Sequence, residues 1–329
     1  MRAAGEIAPA ERGFMMLADI ITDRRAWKAD TIDDRAAWYY RLSEASLAAL
    51  EQTIQAWRRA PQPVTDLRLS DYPCAACSED LRPVLYALEH GRGFAIVDRL
   101  PVGRYTVQEL QALYWLISQA LGRPFEQNVQ GTLLYDVRDT GQDVQYGARF
   151  SITNAESTFH TDNSFGDEVL DYVGLLCLRT AQAGGRSQVV SAYAAHNELL
   201  EKHPGVLEVL YQPLPVDRRG GVRAGESPTA RRPVLEWDGR ALICRYLRFW
   251  IEAGHAKIGQ PLTAAQVGAL DILDRVLRRT DLPAEFELEP GQIFYMNNRW
   301  LFHNRTAFED YSDPERRRHY VRLWLRARR

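Results

Sequence analysis

Between Ser43 and Pro61 the apolar residues Leu47, Leu50, Ile54 and Trp57 recur at the spacing of one helix face, and Pro61 ends the run. This predicts an amphipathic helix in an N-terminal extension. A Pro-containing loop follows, and after "LRPVLYALEHGRG" the run "FAIVDRL" reads as a buried strand. "TVQELQALYWLISQALGRP" then predicts a second helix, opened by a capping box of Thr106 and Glu109 and stopped by Gly122 and Pro124. From about residue 129 the period shortens. The runs "GTLLYDV", "YVGLLCLR", "SQVVSAY", "RALICRYL", "FELEPGQIFYMNN" and "HYVRLWLRA" are apolar or alternating and are separated by Gly, Asp and Asn. That pattern predicts an antiparallel sandwich or barrel, interrupted by helical insertions over 194–211 and 262–280. Residues 216–233 are rich in Arg and Gly and poor in large apolar groups, which makes them a mobile loop: either a solvated linker or an active-site lid.

At 329 residues and 46% hydrophobic, the chain can bury a large core. Its 41 basic and 43 acidic residues leave a net charge of −2, so no global field draws it to nucleic acid or to an anionic membrane. The stretch "GFMMLADIITDRRAW" is broken by Asp19 before it can serve as a signal sequence, and no apolar run reaches the length of a membrane span. A cytoplasmic protein is expected. The four cysteines are too few and too scattered for a disulfide framework, and Cys74-x-x-Cys77 lacks the second ligand pair that a zinc finger needs.

Candidate chemistry is concentrated at "FHTDNSF", residues 159–165. In a strand, residues i and i+2 share a side, so extended backbone would aim His160 and Asp162 at one ion. An imidazole and a carboxylate suit iron, zinc or manganese, and one more imidazole would complete a two-His-one-carboxylate facial triad with open coordination positions. His90, His196, His203, His255 and His319 each have an ordinary reading as helix-end, helix, loop or strand residues. His303 differs, because "QIFYMNNRWLFHNRTAFED" carries an apolar strand straight into a dense group of Asn, Arg and His side chains.

"FHTDNSF", then "YVGLLCLRTAQAGGRSQVVS", "NNRWLFHNRTAFED" and "RRRHYVRLWL" together resemble the taurine dioxygenase-like (TauD/TfdA) branch of the Fe(II)- and 2-oxoglutarate-dependent dioxygenases, in the right order over roughly residues 90–329. The resemblance implies an α+β protein with a mainly β core: a double-stranded β-helix, or jelly roll, over 86–329, with residues 1–85 as a helical extension packed on it. It implies His160, Asp162 and His303 as iron ligands and catalytic centre, with Ser187 and Arg318 holding the distal carboxylate of 2-oxoglutarate. An arginine fork pairs a carboxylate bidentately and stays charged. Arg318 and Arg322 match an Arg-x-x-x-Arg pair common in the family, with the second near substrate. Asn304 stands where relatives often carry glycine, and Asp162 argues against the halogenating members, which lack that carboxylate.

The implied reaction consumes O2 and 2-oxoglutarate, releases succinate and CO2, and hydroxylates an unactivated C–H bond; desaturation or cyclisation would need a different substrate pose. Glu156, Asn163, Ser164, Arg248 and Arg322 are the candidates to line the substrate pocket. Their mixed charge suits an amino acid or a small amine-carboxylate. A peptide side-chain hydroxylase is the alternative within the superfamily. A zinc hydrolase would leave the carboxylate-binding residues unexplained, and a metal-free binding module would not need all three ligands. A small-molecule substrate is the expected partner, with homo-oligomerisation left open.

Overall fold

The protein is described by a computed structural model covering residues 15–72, 74–142, 150–219, 222 and 225–328. Its first elements are β1 (Tyr39–Arg41), α1 (Glu44–Arg59), α2 (Ala75–His90), β2 (Phe94–Asp98), α3 (Val107–Ser118), β3 (Gly122–Phe125) and β4 (Leu134–Val137). Next come β5 (Tyr172–Arg179), β6 (Ala183–Gly184), β7 (Ser187–Ser191), α4 (Ala192–Lys202), α5 (Pro204–Leu210), β8 (Leu214–Asp217), β9 (Thr229–Arg232), β10 (Leu235–Trp237) and β11 (Leu242–Cys244). The chain closes with α6 (Arg248–Lys257), α7 (Ala264–Leu277), β12 (Ala284–Phe286), β13 (Ile293–Asn297), β14 (Leu301–Arg305), β15 (Phe308–Glu309) and β16 (His319–Ala327).

The large sheet runs β1-β2-β13-β5-β16-β3, with β4 also paired to β16. Its apolar runs are nearly continuous because both faces are buried. Along β2, Phe94 and Ile96 enter one core, while Ala95 and Val97 enter another; β13 divides Phe294 and Met296 from Ile293 and Tyr295 in the same way. The second core is closed by α1, α2 and α3, through Leu50, Leu81, Leu113 and their neighbours. The first faces a smaller sheet, β12-β7-β14, whose Val189 and Phe302 it includes. Functional side chains therefore gather between the two sheets, where β5, β13 and β16 face β7 and β14.

The capping box at Thr106 and Glu109 is present, with the Glu109 carboxylate accepting from the Thr106 N–H at 2.8 Å. The helix stops at Ser118, before the expected Gly122, because Gly122–Phe125 is itself a strand paired with the end of β16. Gly122 is needed there: a Cβ would lie 2.4 Å from the Arg326 carbonyl oxygen. The 194–211 insertion is two helices, parted at Pro204, which lacks an N–H for the preceding turn. The N-terminal region supplies more than helices, since β1 adds a parallel edge strand beside β2. The 216–233 segment is not a featureless loop at its ends, where β8 and β9 pair as an antiparallel hairpin. His255 lies inside α6, not in a loop, and its Nδ1 is 2.7 Å from the Gln260 carbonyl. Among the described residues no helix is long and apolar enough to cross a membrane.

Candidate active site

The first of the three candidate ligands comes from a segment that barely qualifies as a strand. His160 and His303 form a single antiparallel bridge, each backbone N–H donating to the other's carbonyl at 2.9 Å. Beyond it the chain turns, and Asn163 adopts φ 55°, a left-handed conformation that Asn tolerates better than most residues. The expectation of a regular strand through His160 and Asp162 is thus corrected: one bridge and a turn place them. The turn is fixed from behind. Asn298 accepts from the Asp162 N–H at 2.8 Å and donates to the Asp162 and Leu170 carbonyls at 3.0 and 3.3 Å. Thr161 is held by Tyr246 through two further bonds, one from its N–H and one to its hydroxyl.

His160, Asp162 and His303 offer ligand atoms that all lie within 4.8 Å of one another. Nε2 of His160 is 3.6 Å and Nε2 of His303 is 3.9 Å from an Asp162 carboxylate oxygen. Nδ1 of His160 lies 2.7 Å from the Thr158 carbonyl, so that nitrogen carries the proton and Nε2 presents its lone pair. Burial pushes the His303 imidazole down to about 3, reinforced by His160, and keeps it in the neutral form that ligates. Burial opposes ionisation of Asp162, but the Arg322 guanidinium and then His160 outweigh it and hold the carboxyl well below the usual range. Its oxygens receive the Trp324 indole N–H at 2.8 Å and Arg322 at 3.1 Å. Two imidazole nitrogens and an ionised carboxylate form a donor set that fits a divalent iron.

These residues open onto a cavity of about 160 Å³ between the sheets, whose wall also includes Ser187, Arg318, Arg322 and Asn163. Arg318 is buried, with its guanidinium 3.9 Å from the Tyr320 ring centroid and one Nη without any partner. Gly185, at φ +70°, makes room for it, because a Cβ there would sit 3.1 Å from the Arg318 Nε. A buried, unpartnered guanidinium nitrogen is costly unless an anion meets it, so the site fits the carboxylate of 2-oxoglutarate. Arg305 lies beside it; burial and then the neighbouring Arg318 push its guanidinium down to about 9, still charged at neutral pH.

Other expected site residues lie elsewhere. Glu156 is exposed and off the cavity wall, so it offers no charge to a bound molecule. Arg248 is taken up by Glu252, Asp271 and Asp274 at 2.8, 2.7 and 2.9 Å, fastening α6 to α7. Ser164 is buried behind the turn with its hydroxyl unpartnered and does not reach the cavity wall. Arg322 lines the cavity, yet its donors go to Asp162 and, at 2.7 Å, to Gln127. Asn298 and Arg305 belong to the dense polar group that follows the "QIFYM" strand, whereas Trp324 and Gln127 were not anticipated. Trp324 was within reach, since it shares the alternating face of Arg322 along "HYVRLWLRA"; Gln127 announces itself only through its long-range partner Arg322.

The taurine catabolism dioxygenase TauD, TfdA family description matches residues 58–324. Over 310 residues the chain is 29% identical to FR-33289 synthase of Streptomyces rubellomurinus (strain ATCC 31215), covering 93% of this chain and 90% of that one. It is 27% identical to the taurine hydroxylase-like protein SAT17 of Stachybotrys chartarum (strain CBS 109288 / IBT 7711), covering 93% and 80%. Among solved structures, asparagine oxygenase in complex with Fe(II), hydroxyasparagine and succinate superposes with a TM-score of 0.66 at 20% identity, covering 88% of this chain and 93% of that one. The non-heme iron oxygenase OrfP with Fe and alpha-ketoglutaric acid gives 0.63 at 18%, covering 87% and 93%. The chain belongs to the TauD, TfdA family and is a 2-oxoglutarate-dependent dioxygenase that uses iron.

Proposed function

We propose that the protein hydroxylates an unactivated C–H bond of a small polar metabolite bearing a carboxylate or similar anion, amino acids included. In this reading the two facing sheets are the walls of a double-stranded β-helix, and His160, Asp162 and His303 hold the iron. Ser187 and Arg318 take the distal carboxylate of 2-oxoglutarate. The observation that carries it is the shared cavity: three convergent ligand atoms and an unpartnered buried guanidinium line one space. When bound, iron and 2-oxoglutarate would supply the electrons that reduce and so activate O2. The chain's own part is positioning and containment. Trp324 and Arg322 keep Asp162 ionised and oriented, the Thr158 carbonyl fixes the His160 tautomer, and Phe165 and Trp250, with ring centroids 5.1 Å apart, wall the cavity with apolar surface.

The charge of the wall bears on the substrate. Among the described lining residues the cations are Arg219, Arg305, Arg318 and Arg322, and the single acid is Asp162. With Glu156 off the wall, an ammonium group would find no free carboxylate among these residues, whereas an anionic end would meet a wall whose cations include Arg219, just past the end of β8. The comparison structures hold hydroxyasparagine and hydroxyarginine, small carboxylate-bearing molecules, which supports the same class. The test is iron- and oxygen-dependent succinate formation across a panel of amino acids, other carboxylates and neutral compounds. Carboxylates should stimulate turnover, and His160→Ala or Asp162→Ala should abolish it with the fold intact. Stimulation by neutral compounds alone would overturn the substrate class, and succinate formation by the double variant would overturn the metal site.

A further inference from the structure

Arg305 stands two residues beyond His303 on β14 and is tied to the segment that leads into His160. Its backbone N–H donates to the Ser157 hydroxyl at 2.8 Å, and its carbonyl accepts from the Ser157 N–H at 3.0 Å. Its side chain spans further back: one Nη donates to the Thr153 carbonyl at 2.9 Å and the other to the Ala155 carbonyl. One guanidinium thus holds two carbonyls of the stretch that joins the cavity-lining residues Phe150 and Ser151 to Ser157. The arrangement has an electrostatic cost. Arg305 and Arg318 lie over the same Phe308 ring, with guanidinium carbons 4.6 and 5.2 Å from its centroid, and no carboxylate ion-pairs with either among the described residues. Two buried cations side by side repel each other unless an anion meets them. Carbonyl oxygens solvate Arg305 only in part, and its Nε has no partner.

We propose that Arg305 is a positioning residue whose hold on the 153–157 segment is coupled, through Arg318, to the distal carboxylate of the co-substrate. The inference rests on the reading that Arg318 receives that carboxylate. Binding there neutralises Arg318, removes its repulsion of Arg305, and so tightens the grip of Arg305 on the Thr153 and Ala155 carbonyls. The co-substrate thereby firms the wall against which substrate docks, without touching that wall itself. Lysine could supply the charge but not two separate donor nitrogens in a rigid planar fork, which is why arginine suits this place.

The experiment is hydrogen–deuterium exchange of the full chain with Fe(II) under anaerobic conditions, with and without 2-oxoglutarate, read over residues 150–158 and paired with the 2-oxoglutarate dissociation constant. In wild-type protein the co-substrate should slow exchange there. Arg305→Gln should lose the co-substrate-dependent slowing and bind 2-oxoglutarate about tenfold more weakly, the size expected for one nearby charge at an effective dielectric of about 20. Arg305→Lys should stay within about threefold of wild-type affinity while losing most of the slowing, because it keeps the charge and gives up one of the two carbonyls. It also carries the test should the glutamine variant fail to fold. Full co-substrate-dependent slowing in either variant would overturn the inference, as would its absence in wild-type protein that binds 2-oxoglutarate. Wild-type affinity in Arg318→Gln would instead overturn the co-substrate site, and this inference with it.

Discussion

Replacing Asn298 by alanine should cost iron affinity although Asn298 is no ligand. Its side-chain amide makes three buried hydrogen bonds: it accepts from the Asp162 N–H at 2.8 Å and donates to the Asp162 and Leu170 carbonyls at 3.0 and 3.3 Å. Each such bond is worth roughly 0.5–1.5 kcal/mol net, and a buried N–H left without an acceptor costs roughly 1–3 kcal/mol. Taking the three bonds alone at about 1 kcal/mol each, the loss is at least about 3 kcal/mol of local stability at the turn that presents the Asp162 carboxylate. That loss falls on the apo protein first, as a lower urea midpoint. If about half of it reappears as freedom of Asp162 in the holo state, iron binding weakens about tenfold, since 1.4 kcal/mol is one decade. Anaerobic Fe(II) titration beside urea unfolding measures both. A variant with a lowered urea midpoint and undiminished iron affinity would refute the reasoning, and would mean that Trp324 and Arg322 fix the carboxylate without help from the backbone.

Two further outcomes test the surroundings of the site. Arg248→Ala should lower stability by about 1–2 kcal/mol, discounted because its ion pairs are partly solvated, and leave the KM for substrate unchanged; a raised KM with unchanged stability would restore Arg248 to the pocket. Burial pushes His196 down to about 4, so the folded state prefers the neutral ring. Its contribution is whole above the unfolded value near 6.5, falls as pH drops through the window from 6.5 to 4, and amounts to roughly 3 kcal/mol at most. Urea midpoints of wild type and His196→Gln should therefore converge on acidification, and parallel curves would show that His196 is not the group involved.

The strands "YVGLLCLR", "SQVVSAY" and "HYVRLWLRA" were legible because apolar residues crowd where a sheet is buried, and the histidines at 160 and 303 because polar groups break those runs. What the pattern does not carry is partnership. Arg248 was a pocket candidate for its charge, but two of its acids lie on α7, and only the packing of α6 beside α7 brings them within 3 Å. Glu156 precedes His160 by four residues, a proximity that would matter on a helix; the chain there is irregular and turns the carboxylate outward. The 216–233 segment misled through composition, since its arginines are partly committed: Arg218 and Arg232 both pair with Asp167, just past the Asp162 turn.

The spacing of Arg318 and Arg322 shows how the large sheet divides labour at the site. The register shift between β16 and β5 pairs His319 with Arg179 and Tyr320 with Cys177, so the extra residue, Leu178, belongs to β5. The alternation along the other strand is therefore undisturbed, and positions 318, 320 and 322 keep one face, with Tyr320 under the Arg318 guanidinium. Four residues of extended chain separate the two arginine Cα atoms by about 13 Å, which is why they do not share one anion. Arg322, beside Trp324, is spent on Asp162 and Gln127, and Arg318 is left with an unpartnered nitrogen. Under the proposed reading the first arginine serves the co-substrate and the second serves the metal's carboxylate, so neither is left for the substrate. Arg322→Met should accordingly weaken iron binding, whereas Arg318→Met should weaken 2-oxoglutarate binding and spare the metal; the reverse assignment in anaerobic titrations would break the argument from register.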